Sequence, residues 1–183
     1  MQRYLHYAAN FGIISLLIGI PLGIIDILET LKEVQLMSLN LYIAIYLISI
    51  IFYVLFIYGF VLLGKKIKNK KLTTASYLLI MGSVTLNLFQ ILTPFFPKLQ
   101  GIMYQALVLV ALGIVSIVFG RALIKLQFQL GKIAKAAGVL NIITGISMIT
   151  VVLSFVGVIL LIPIYMMEII ILFRASKNFD SLY

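Results

Sequence analysis

Residues 39–71 read LNLYIAIYLISIIFYVLFIYGFVLLGKKIKNKK. The first part carries no charge from Leu39 to Gly64. Lysines then follow at Lys65, Lys66, Lys68, Lys70 and Lys71. An apolar run of about 20 residues matches the ~30 Å of a bilayer's hydrocarbon core. A lysine run at one end of it is the mark of a loop held on the cytoplasmic side. The stretch therefore reads as one membrane span closed by a basic inner turn.

The rest of the chain repeats this arrangement. Of 14 Lys and Arg residues, 12 fall in four groups: Arg3, Lys65 to Lys71, Arg121 to Lys135, and Arg174 with Lys177. Long apolar stretches separate the groups. The chain is 63% hydrophobic and 10% charged, whereas soluble domains run near ~45–50% apolar and ~25% charged. With lipid as the solvent, helix contacts come from close packing and polar pairing. The net charge of +9 flanks spans and covers no single face. It points to an anionic inner leaflet, contacted by Lys65, Lys66, Lys68, Lys70, Lys71, Arg121 and Lys125, and not to nucleic acid. Cysteine is absent, which removes disulfides and thiolate chemistry. The start of the chain shows no small-residue cleavage pattern, so the first apolar stretch is expected to stay as a span.

Spans are predicted at about 4–28, 39–63, 74–93, 101–124, 138–154 and 157–173. Gly12, Gly19, Pro21 and Gly23 predict a kink near Ile18 in the first. Asp26, Glu29, Lys32 and Glu33 form an acidic outer connection. Thr73 or Thr74 is the expected N-cap of the third span, which Pro94 and Pro97 stop, and Lys98 lies in the outer loop after it. Between Arg121 and Gly138, Arg121, Lys125, Gln129, Lys132 and Lys135 recur at helical spacing. A helical extension broken near Gly131 is expected there.

The run from Gly138 to Phe173 is 36 residues long and would reach about 54 Å as one straight helix. Two short crossings folded at Ser154-Phe155-Val156-Gly157 fit better, and basic residues at both termini ask for an even number of spans. The expected fold is thus an all-α integral membrane bundle. Its six transmembrane helices form three hairpins, as a single transmembrane domain without a soluble one. The alternative is five spans, the last a long helix kinked at Pro163. Tyr4, Tyr7, Tyr58, Phe60, Tyr77, Phe119 and Phe173 fall near the inner boundary, and Tyr42, Phe95, Phe96 and Tyr104 near the outer, as interfacial rings prefer.

Glu168 is the acidic residue set firmly within a span. It lies six residues before Arg174, hence about 9 Å in from the basic end. A carboxyl group at that depth is protonated, paired or facing water. Pro163 withholds a backbone donor and frees the carbonyl of Ile159. Asn10, Asn141 and Thr144 reach a similar depth, and a cluster of these with Glu168 would satisfy each member. It reads either as inter-helix hydrogen bonding or as a cation or proton site. Asn87 and Gln90 form a second polar pair, expected to bond across a helix interface. Gly19 and Gly23 make a GxxxG pattern, and Gly113, Ser116 and Gly120 a second small-residue stripe, both suited to close packing. His6 has no cysteine or carboxylate beside it, so no metal site, hydrolytic triad, phosphate loop or cofactor is expected.

The last third, from Lys135-Ala-Ala-Gly138 through Ile143-Thr-Gly145 to Arg174, resembles the end of a family of small multi-spanning membrane proteins of unknown function common in archaea. Those proteins show a basic residue, a small-residue stretch, two short apolar helices and a polar stop. The resemblance implies a fold type and no activity, and its members carry no obvious counterpart of Glu168.

These features lead to the expectation of a non-catalytic subunit in the cell membrane, both termini cytoplasmic, packed against other membrane proteins. A small solute, proton or cation carrier using Glu168 and the break at Pro163 is the second reading. An oligomerising viral or lytic protein is the third.

Overall fold

The computed structural model describes residues 1–32, 37–92, 95–96, 102–150 and 154–178. Seven helices follow one another: α1 Gln2–Lys32, α2 Leu39–Lys66, α3 Lys70–Leu92, α4 Ile102–Lys125, α5 Gln127–Leu130, α6 Lys132–Ile149 and α7 Ser154–Lys177. Among the described residues there is no strand. All but α5 are long and apolar enough to cross a membrane. The protein is thus a polytopic, all-helical membrane bundle. The apolar run after Gly138 is divided between two helices, so the five-span alternative does not hold.

Each spanning helix packs antiparallel against its neighbour in the chain, and α1 also packs on α7. The three hairpins therefore close into a ring. Its most extensive contact joins α4 to α6, across the basic connection that carries α5.

The ring brings the 12 basic residues of the four groups to one end. The core gathers at that same end. Leu5, Ala8 and Ala9 of α1 meet Phe56, Phe60 and Leu63 of α2, Phe119 and Leu123 of α4, and Ile171 and Leu172 of α7. Phe56 and Phe60 meet edge to face at 5.8 Å between ring centroids, as do Phe60 and Phe119 at 5.3 Å. Such rings prefer this geometry because their quadrupoles then attract. Phe60 and Phe119 are fully buried, so they belong to the core and not to the interfacial belt. Tyr4, Tyr7, Tyr58 and Tyr77 are exposed as a belt requires.

Local structure departs from the sequence reading in four places. The cap of α3 is Asn69, whose Oδ1 accepts the backbone N–H of Leu72 at 3.1 Å. Thr73 lies in the first turn, its hydroxyl donating to the Asn69 carbonyl. Asn competes with Thr as a cap, and here the tight turn at Lys68 (φ 54°) brings Asn69 into position. The reversal expected at Ser154–Gly157 does not fall there: α6 ends at Ile149, and Ser154–Gly157 already belong to α7. Gly157 lies inside α7 against α6, where an added Cβ would make an ordinary contact, 3.4 Å from Met148 Cγ. The acidic segment after Asp26 continues α1 as helix through Lys32, with Pro21 accommodated inside it. The break near Gly131 is as expected: Gly131 has φ 81°, a backbone conformation that favours glycine. The sixth helix starts at once on Lys132, earlier than the Gly138 of the sequence reading. Glu33, Pro94, Pro97 and Lys98 lie outside the described residues.

Candidate functional site

The contact between α4 and α6 rests on two facing small-residue stripes. Gly113, Ser116 and Gly120 of α4 lie against Gly145, Asn141 and Gly138 of α6. A Cβ at Gly113 would stand 2.6 Å from the carbonyl oxygen of Gly145, and one at Gly120 2.5 Å from that of Gly138. The reverse additions, at Gly145 and at Gly138, would each reach 2.5 Å from the facing carbonyl. The two backbones touch, which only the absence of side chains permits.

Between the two glycine pairs sits a polar cluster. Ser116 Oγ donates to the carbonyl of Asn141 at 2.9 Å and lies 3.3 Å from its Oδ1. Asn141 Nδ2 donates to Glu168 Oε1 on α7 at 2.9 Å and to the Ala137 carbonyl at 3.0 Å. Both donor hydrogens of the amide are thereby used. Glu168 is 5% exposed and Asn141 6%. One turn further along α7, Tyr165 donates its hydroxyl to Ser15 Oγ of α1 at 2.9 Å. Its ring stacks on Phe56 at 4.7 Å and approaches Tyr53 at 6.1 Å. Hydrogen bonds thus join α4 to α6, α6 to α7 and α7 to α1.

Of the four residues expected to cluster, the structure joins Asn141 and Glu168. Thr144 is fully buried one turn along α6, but its hydroxyl has no hydrogen-bond partner. Asn10 is half-buried and joins no hydrogen bond of the cluster, because α1 turns Ala8, Gly12 and Ser15 toward its neighbours instead. Pro163 lies within α7, which continues as helix on both sides.

Three members escaped the sequence reading. Ser116 reads as one more small residue in a stripe, and only the facing Asn141 gives its hydroxyl a role. Tyr165 and Ser15 are 150 positions apart in the chain. The available signal was the spacing of Tyr165 and Glu168, three apart on one helix face.

The small residues that pack α1 are also not those expected. A Cβ at Gly12 would meet Phe56 and Ile169 within 2.8 Å, and one at Gly59 would meet Ala8 at 2.6 Å. Gly19 and Gly23 have nothing within 4 Å of that position among the described residues, so they do not make the close packing expected of them there. Asn87 bonds back to Ser83 of its own helix at 2.8 Å, and Gln90 is exposed. This local bond removes the pairing expected across a helix interface. His6 packs edge to face on Phe173 at 5.2 Å. Among the described residues, no group of His, Cys, Asp or Glu could hold a metal ion.

Together these features define a multi-pass helical membrane protein with a polar clamp buried toward its basic end. Comparison with family models, with curated proteins and with solved structures found no match.

Proposed function

We propose that this protein is a non-catalytic membrane subunit that packs against and stabilises a larger membrane complex. It would lie in the cell membrane with its basic end and both termini cytoplasmic, following the bias of lysine-rich turns toward that side. The observation that carries the reading is the bond from Asn141 Nδ2 to Glu168 Oε1. It commits the buried carboxyl group to holding α6 against α7, with Ser116 tying in α4. A satisfied cluster of this kind rigidifies a bundle. The outer face of α1 supplies the complementary feature, since Gly19 and Gly23 leave open the close approach that a GxxxG pattern offers a foreign helix. Purification in mild detergent should recover a stoichiometric membrane partner. The double substitution Gly19→Leu and Gly23→Leu should release it and leave the bundle folded. A clean monomer from native membranes would overturn the reading.

A second reading draws on Thr144. Its Oγ1 is buried without a hydrogen-bond partner one turn along α6 from Asn141, which itself bonds the Glu168 carboxyl group. Intramembrane carboxyl groups in such company serve proton or cation pathways in carriers. Reconstituted protein would then dissipate a proton or sodium gradient, and Glu168→Gln would abolish the flux with the fold intact.

A further inference from the structure

At the basic end, α3 and α4 enclose a cavity of about 380 Å³ that opens to the surface. Lys70, Lys71 and Thr74 of α3 line one side, and Val118, Arg121 and Lys125 of α4 the other. We infer that this cavity is a binding site for one anionic phospholipid, its phosphate among the four cations and an acyl chain along the α3–α4 seam.

Charge is the first argument. Lys70 and Lys71 sit in the first turn of α3, where no acidic residue accompanies them. That turn is the positive end of the helix dipole, so cations there are disfavoured on their own and an anion is favoured. Arg121 and Lys125 add two more positive charges from across the cavity, spaced four apart on one face of α4. The five acidic residues of the chain are Asp26, Glu29, Glu33, Glu168 and Asp180. Among the described residues, no acidic side chain lines the cavity. Glu168 is engaged by Asn141 inside the ring. Four like charges around one space repel one another unless an anion enters it. The Thr74 hydroxyl offers such an anion a neutral donor.

Position is the second argument, and it selects a lipid over free phosphate. Below the cations the lining turns apolar at Val118. The exposed side chains Leu78 and Met81 continue the α3 side, and Ile114 the α4 side. They follow Thr74 and Val118 at helical spacing. Free phosphate has no use for that strip, whereas an acyl chain hanging from a bound headgroup would lie on it. Basic pockets between spans on the cytoplasmic side suit anionic headgroups. The other lysines of the same turn behave differently: Lys65 lies 5.8 Å from the centre of the Tyr77 ring, and Lys66 and Lys68 do not line the cavity.

The chain has no tryptophan, so Ile114→Trp creates a single fluorophore on the strip, seven residues or about 10 Å from Arg121 along the helix. Purified protein carrying it is reconstituted with phosphatidic acid or phosphatidylcholine brominated at mid-chain, each as a minor fraction of a zwitterionic bilayer. Phosphatidic acid should quench the tryptophan at least about threefold more strongly per mole fraction, given the attraction of each nearby cation for an anionic headgroup. Adding Lys70→Gln and Arg121→Gln should bring the two lipids to equal quenching. Adding Lys132→Gln and Lys135→Gln instead, the same charge loss on α6, should leave the preference in place. Equal quenching by both lipids in the parent protein would overturn the inference. So would an equal loss from the α6 pair, which would mean a diffuse surface charge. Displacement of the brominated phosphatidic acid by millimolar inorganic phosphate would overturn the lipid assignment, because the site would then take the anion without its chain.

Discussion

Gly120 of α4 and Gly138 of α6 face each other so closely that a Cβ on either would lie 2.5 Å from the other's carbonyl oxygen. The same relation recurs seven residues along at Gly113 and Gly145. Two such contacts fix the separation and register of the two helices, and between them Asn141 and Ser116 come within hydrogen-bond reach.

Gly120→Leu is expected to force α4 and α6 apart and to destabilise the bundle by about 1–3 kcal/mol, the range for overpacking a close contact. Gly19→Leu, on an open face, should leave the stability of the isolated chain unchanged. Thermal unfolding in detergent, followed by size-exclusion recovery, compares the two. Equal losses would contradict the packing described here.

Asn141→Leu removes the donor to Glu168 and leaves the buried carboxyl group short of a partner, while the Ser116 hydroxyl keeps the backbone carbonyl of residue 141. Its cost should fall near 1–3 kcal/mol, that of stranding buried polar groups. Glu168→Gln keeps an acceptor oxygen for Asn141 and should cost less. The double variant Asn141→Leu, Glu168→Leu should recover part of the loss, with a coupling on the order of 0.6 kcal/mol as for hydrogen bonds between spans. Purely additive losses in a chemical-denaturation cycle would mean that the two side chains do not interact.

Arg174 Nη1 donates to the Leu130 carbonyl at 3.4 Å, at the C-terminal end of the short helix α5. A cation there meets the negative end of the helix. Arg174→Ala should raise amide hydrogen exchange in 127–134 and leave the glycine-packed middle of α6 protected. Gly131→Ala should loosen the same segment for a separate reason. Its φ of 81° strains any L side chain by about 1–3 kcal/mol. Exchange mass spectrometry reads both.

Single cysteines report topology against a cysteine-free background. Asn69→Cys, Phe128→Cys and Lys177→Cys lie at the basic end and should share one labelling pattern with an impermeant maleimide. Phe128 is 95% exposed and is the best reporter. Ser38→Cys and Phe95→Cys, at the other end, should label only from the opposite side. Mixed labelling within either group would refute the bundle's orientation.

Much of the architecture was legible along the chain. The uncharged run 39–64 and its lysines specify a span and a turn directly, because the bilayer tolerates no unpaired backbone and few charges. The division of the run after Gly138 followed from its length and from the even number of spans that the basic termini require. The end of that division did not: Gly157 looks like a turn residue until Met148 and Thr144 are seen against it. Asn141 and Glu168 could be matched by depth, since both are counted from a basic boundary. Asn10 lies at a similar depth but on another face of its helix, and depth carries no information about azimuth.

What the sequence by itself determined is the set of spans and the gathering of the lysine turns at one end, since hydrophobic length and charge placement act locally and leave their mark in every segment. Only the tertiary structure decided which small residues touch. Gly12 packs while Gly19 stands open, Ser116 becomes a hydrogen-bond donor, and Lys70 and Arg121 come to face one cavity. Those outcomes depend on how each helix is rotated within the ring. In a lipid solvent every apolar face is equally welcome, so hydrophobicity alone cannot select a rotation. The selection falls to backbone contact between glycines and to a few hydrogen bonds, which are set by residues far apart in the chain.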